Sequence, residues 1–246
     1  MNATIVELTI RQLLGRRRTL LMAGFALVPV AVAVLVRLAA DDETDLARFT
    51  ANGLLGTLVV ATLLPLVALV MGTAALGAEI EDGTAVYLLG KPIPRLRIVL
   101  SKLLPAWLAT ATIVLASTIA AGAIGIGDAG DGDIVGAFAI AVVLGALVYC
   151  CLFICASVVT SRALIAGLVY VFLWEGTITR LFQGTRVLSV RQYTLGVADL
   201  LSETSERTFD ARLGGTEALM LMAVVALGAT LLAAWRLEHF EIGETT

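Results

Sequence analysis

The sequence predicts an all-α membrane protein with six transmembrane helices, both termini cytoplasmic, and a short cytoplasmic helix between the second and third spans. Three observations predict it. Of 246 residues, 59% are hydrophobic and 15% charged, against roughly 45–50% and 25% in soluble domains. The apolar residues gather into runs that reach the roughly 20 residues a helix needs to cross a hydrocarbon core of about 30 Å. Those runs, such as MAVVALGATLLAAW, lack the polar–apolar alternation of barrel strands. A net charge of −3 argues against a nucleic-acid binder, which would need a basic face.

Residues 1–18 come first and read as an amphipathic helix lying in the membrane interface. Val6, Ile10, Leu13 and Leu14 share one face, Glu7 and Arg11 make an i, i+4 pair, and Arg16–Arg18 sit near lipid phosphates. The spans follow at 19–40, 53–76, 103–126, 134–160, 163–181 and 218–235. The first is 22 residues long, beyond a signal-peptide core of about 7–15. The fifth is the weakest, because its apolar part, ALIAGLVYVFLW, stops at Glu175. Pro29, Pro65 and Pro105 fall within or near span ends, where membrane helices tolerate kinks. Cys150, Cys151 and Cys155 share one apolar run and read as small hydrophobes, and no metal site is expected, because the single histidine, His239, lies in the tail. Gly122, Gly125, Gly136 and Gly145 permit close packing without marking a dimer face. No polar segment is long enough for a separate core, so residues 1–246 read as one membrane domain.

Basic residues set the orientation. With the N-terminus in the cytoplasm, ten Lys and Arg lie inside, among them Arg16–Arg18, Lys91 and Lys102. Only Arg37 and Arg48 lie outside before the last outer loop, 180–215, which adds five. The other outer loops, DDETD and DAGDGD, are acidic.

Residues 77–102, GAEIEDGTAVYLLGKPIPRLRIVLSK, then face the cytoplasm and carry seven charges. Each would cost about 2.5–3.5 kcal/mol at mid-membrane, so the segment belongs at the surface. Asp82 can cap a short helix, Thr84–Leu89; Gly90 can end it, and Pro92 and Pro94 forbid its continuation. Two readings fit: a docking knob, or a connecting loop whose apolar residues lie on lipid headgroups.

Here the sequence resembles a family. Glu79-x-Glu81-x-Gly83-Thr84, then Leu88-Leu89, Pro92, Arg95 and Lys102, resembles the signature of ABC-2 type transporter permeases, the membrane subunits of ATP-binding-cassette systems. The resemblance implies that this segment is a coupling helix fitting a groove on a cytoplasmic ABC ATPase. Glu79, Glu81, Gly83, Thr84, Leu88 and Leu89 would form or orient it, with Pro92 after it, and Arg95 and Lys102 would anchor its return to the membrane. It also implies two ATPase copies, a second permease subunit (homo- or heterodimeric), a cell-membrane location among lipids, and ATP with Mg bound by the partner. The expected function is a permease that couples ATP hydrolysis by the separate subunit to export. A non-transporting scaffold, passing ATPase-driven motion to a lipid or extracytoplasmic partner, would use the same knob.

This chain is not expected to be an enzyme. The phosphate-cradling G-x-x-x-x-G-K-[ST] is absent, and Gly90-Lys91 runs straight into Pro92. One tail histidine leaves a serine protease without its base and a metalloprotease without H-E-x-x-H. Glu175 is the ionisable residue that stands out within a span and is the candidate pathway or gate residue. Thirteen residues beyond Arg162 put it about 20 Å up, in the outer half. It can face a cavity, pair with Arg180, or sit in the interface reached by water. A WEG stretch recurs at this point in the permeases this chain resembles. In the loop beyond, Val187, Val190, Val197 and Leu201 approximate a helical stripe, expected to rest in the outer interface as a gate or as a cap.

Overall fold

Lipid offers no water to a free amide or carbonyl, so apolar runs of this length close their hydrogen bonds within helices. The structure, a computed structural model, describes residues 6–10, 17–39, 43–81, 94–126, 132–160, 162–181, 187–202 and 214–239, and among them the regular elements are helical. The first rod is α1 (Arg17–Phe25) and α2 (Leu27–Ala39). The second joins α3 (Glu43–Phe49), a π-helical stretch π1 (Thr50–Leu63) and α4 (Leu64–Glu81). Next come α5 (Arg95–Ile126) and α6 (Gly132–Val159). The fifth rod is α7 (Ala163–Val169), π2 (Tyr170–Ile178) and α8 (Thr179–Leu181). A separate helix, α9 (Val190–Leu201), precedes the last rod, α10 (Gly215–Glu238).

Among the described residues, five rods carry stretches long and apolar enough to cross a membrane, of 21, 32, 32, 27 and 24 residues in chain order. The fifth rod's apolar part, Ala163–Ile178, is shorter. Each expected span lies on its helix, but the helices run further. The acidic stretch expected in an outer loop already enters α3 at Glu43, and α4 continues through Glu81 while α5 starts at Arg95. The expected coupling loop 77–102 therefore contracts. Gly83, Thr84, Leu88, Leu89 and Pro92, with the short helix 84–89, lie outside the described residues. Residues 6–10 are helical, with Thr9 buried and Ile10 exposed, so the buried position there is not on the expected Val6–Ile10 face. Leu13 and Leu14 lie outside the described residues.

α6 is the central rod. It is apolar on every side, with a mean window hydropathy of 2.8, as a helix enclosed all round should be. It packs against α4, α5, α7, α9 and α10, while α2 leans mainly on α5. Cys150, Cys151 and Cys155 are all buried along it. Contact here is set by shape, because lipid tails are as apolar as leucine. A Cβ at Gly145 would lie 2.6 Å from Thr194 Oγ1, and one at Gly167 would lie 2.1 Å from Leu69 Cδ1. These two glycines let α9 and α7 sit directly on their neighbours.

Threonine hydroxyls register the change from α to π winding. In the α-helices they donate four residues back, Thr73 to Leu69 O, Thr110 to Ala106 O and Thr230 to Ala226 O among them. In π1, Thr57 donates to Asn52 O at 3.0 Å and Thr62 to Thr57 O at 3.1 Å, and in π2 Thr177 donates to Phe172 O at 3.3 Å, each five back. π1 ends two residues before Pro65. Pro65 has no amide to donate, and its ring would clash with the carbonyl of Ala61 in an α register, a clash the wider winding relieves.

Candidate functional site

Among the described residues, the buried charged side chains, Glu175 and Lys102, mark two places. The first is Glu175. It is 3% exposed and sits on π2. Its Oε2 accepts from the hydroxyl of Tyr149 on α6, and its Oε1 accepts from Tyr170 Oη at 3.1 Å and from the backbone amide of Val190 at 2.9 Å. Its carbonyl accepts from Thr179 Oγ1 at 2.8 Å.

The winding of π2 assembles this cluster. Tyr170 and Glu175 are five residues apart, which in an α-helix would point their side chains about 140° apart. An i→i+5 register brings them close to one line. Phe153 holds both tyrosines: it stacks on Tyr149 at 5.9 Å and meets Tyr170 edge-on at 6.4 Å. The Val190 amide belongs to the first turn of α9, where Ser189 caps the helix by accepting from Gln192 N. A carboxylate at a helix N-terminus meets unpaired amides and the positive end of the helix dipole. Three elements therefore converge on one side chain.

Glu175 is buried, not the water-reached residue that one reading expected. It lies beside Tyr149, ten residues before the end of α6 at Val159, about 15 Å along by helical rise. A π-helix climbs less per residue than the α-helix from which the height was reckoned. Nor does α9 rest on the outer surface. Tyr193, Thr194, Val197 and Ala198 are buried against the bundle, and Thr194 meets the middle of α6 at Gly145. Of the expected stripe, Val190 and Val197 face inward, while Val187 and Leu201 are exposed.

Beside the cluster lies a cavity of about 290 Å³, near the lower end of ligand-sized pockets. Thr62 and Leu66 wall it on one side, Phe172, Glu175 and Thr177 on the other, and Arg191 of α9 completes it. Both π-helical rods thus border it.

The second polar place is the base of the segment 82–93. Glu79, near the end of α4, and Lys102, two turns into α5, form an ion pair. Lys102 is 2% exposed, so it does not anchor the chain at the lipid surface as expected but faces inward, bracing the two helices. Glu81 ends α4, and Arg95 opens α5 half-buried. The sequence reading missed the pairing of Glu79 with Lys102 and the roles of Tyr149, Tyr170 and Arg191. A faint signal existed: tyrosine in an apolar run must place a hydroxyl somewhere.

Apolar helical rods long enough to cross a membrane, with ionisable side chains buried among them, are the architecture of a multi-pass membrane protein. The family model of ABC-2 family transporter proteins matches residues 4–181. The chain belongs to that family and is a permease of an ABC transporter, a class that generally works with an ABC ATPase. The match takes in Glu79, Lys102, Tyr149, Tyr170 and Glu175, while α9, with the Val190 amide and Arg191, and α10 lie beyond it. No curated protein matches the chain.

Proposed function

We propose that this chain forms the transmembrane pathway of an exporter and receives work from a separate ATPase through residues 82–93. The observation that carries this reading is the Glu79–Lys102 pair, in which Lys102 is buried and Glu79 partly so. It joins the two helices that flank the segment, so a push on the segment moves α4 and α5 together, and α4 continues into π1 at the cavity. An ion pair buried this way holds its geometry because either charge left alone would be costly.

In this reading the fifth rod is the sixth membrane-crossing element beside the five long ones, the chain is one membrane domain, and both termini face the cytoplasm. The Lys and Arg of residues 11–18 and 91–102, with Arg162 and Arg236, then share the inner side. Glu79, Glu81, Gly83, Thr84, Leu88, Leu89, Pro92 and Arg95 form the coupling region. Two permease chains and two ATPase chains make the complex, ATP and Mg bind only the latter, and this chain carries no enzymatic activity.

The test uses the full chain co-expressed with its ATPase and reconstituted in vesicles. Glu81→Arg or Gly83→Trp should leave membrane insertion intact, weaken ATPase association in a detergent pull-down, and abolish permease-dependent ATP turnover. Unchanged association in both variants would refute the coupling role. Coupled turnover that moves no candidate cargo would favour the scaffold.

A further inference from the structure

Trp174 and Glu175 are neighbours in the chain, and both reach the short segment that leads into α9. Trp174 Nε1 donates to Leu188 O at 3.2 Å, while Glu175 Oε1 accepts from Val190 N at 2.9 Å. An indole N–H only donates, and an ionised carboxylate only accepts. The pair therefore matches a carbonyl and an amide two residues apart. Tyr193 fastens the same turn from within α9 through its hydroxyl to Val187 O. Arg191, the residue after the clasped amide, walls the cavity.

The two ends of α9 are held differently. Its first turn, ahead of the close contact of Thr194 with Gly145, adds single hydrogen bonds to side chains of π2. Its far end is held by shape, since a Cβ on Gly215 would lie 2.2 Å from Leu200 Cβ. Hydrogen bonds each contribute about 0.5–1.5 kcal/mol net and can be exchanged for others; close packing cannot be released piecemeal. We infer that Trp174 and Glu175 are a clamp on the first turn of α9, and that this turn, ahead of the Thr194–Gly145 contact, is the movable wall of the cavity. Gly176 follows them without a side chain and lines the cavity itself. This gives the Trp-Glu-Gly stretch a role: donor, acceptor, and space. The inference rests on reading the cavity as part of the transport route.

The test uses the full chain with its ATPase in lipid nanodiscs. Hydrogen exchange is followed at residues 190–195, and maleimide labelling at Thr62→Cys with Cys150, Cys151 and Cys155 changed to Ala. Trp174→Phe and Glu175→Ala should each speed exchange of the α9 amides by about tenfold, the equivalent of one hydrogen bond, and should speed labelling at position 62. Glu175→Gln keeps an acceptor for Val190 and should stay close to the parent in both readouts. Thr112→Ala, on the exposed side of α5, is the control. Unchanged exchange in Trp174→Phe overturns the clamp even where Glu175→Ala fails to fold. Faster exchange without faster labelling overturns the movable wall, and a Gln variant as loose as the Ala variant overturns the acceptor role. A clamp that behaves as expected in a complex that moves no cargo sinks the transport reading alone; transport with α9 static sinks the clamp alone.

Discussion

Glu79 and Glu175 are both carboxylates on helices in apolar surroundings, and the fold satisfies them by different means. Glu79 lies near the end of its rod and meets a cation, Lys102, on the facing rod. Glu175 lies deeper along α6 and meets two tyrosine hydroxyls and a helix-start amide. An ion pair fixes two rods as a unit, because separating it strands two charges. A ring of neutral donors gathers more elements, and each bond can be given up singly. In the proposed reading, the rigid device stands near the segment where force would enter, and the exchangeable one stands beside the cavity, where a wall would shift.

The sharpest break in this comparison is Lys102→Met. It keeps most of the length of the side chain but takes the cation from Glu79, which for a fully buried pair costs about 3–5 kcal/mol; with Glu79 22% exposed, the lower part of that range is expected. Thermal unfolding of the detergent-solubilised chain should show the largest loss here. Adding Glu79→Gln should return most of it, since the double variant strands no charge. If the double variant is as unstable as the two singles summed, the residues are not coupled and the brace does not exist.

Tyr149→Phe comes next. It removes one hydroxyl from Glu175 while keeping the stack on Phe153, and hydrogen bonds to charged groups are worth about 1.5–3 kcal/mol. The loss should be smaller than for Lys102→Met, because Tyr170 and the Val190 amide remain. Losses of equal size would erase the distinction between a paired and a shared carboxylate.

What the sequence disclosed and hid follows from the same contrast. The spans were legible because lipid imposes length and hydropathy directly, and Glu175 was legible as a carboxylate in an apolar run. Its partners were not. Tyr149 lies 26 residues before it on another rod, and Tyr170 lies five before it, a spacing that faces inward together only under π winding. Hydropathy does not encode that winding, and proline at 65 marks only where π1 must stop. Lys102 follows Arg95 and Arg97 and so read as surface charge. Its burial depends on where α4 and α5 cross, which no local pattern reports. The stretch beyond Arg180 is polar enough to read as a surface loop, yet Gly145 gives α9 a seat against the middle of α6.

That seat yields the third prediction. Gly145→Ala puts a methyl 2.6 Å from Thr194 Oγ1 and 3.0 Å from Leu64 Cδ2. Overpacking of this kind costs about 1–3 kcal/mol, and here the lower part of the range is expected, because the side chains at positions 64 and 194 can shift. Pairing it with Thr194→Ala should recover part of the loss. A Gly145→Ala variant with parental stability and parental α9 exchange would mean that α9 does not sit on α6.

The smallest effect is expected nine residues away on the same helix. A Cβ at Gly136 would meet nothing within 4 Å, so Gly136→Ala meets no neighbour and changes only the backbone term. Glycine inside a helix is less favourable than alanine by up to about 1 kcal/mol in water, so this variant should be neutral or slightly stabilised. The two glycines are indistinguishable by residue type and helix, and what packs against one of them, Thr194 of α9 and Leu64 of α4, separates their outcomes. A destabilised Gly136→Ala would place a second chain or a further segment against that open face, and the site of contact could then be mapped by cross-linking from position 136.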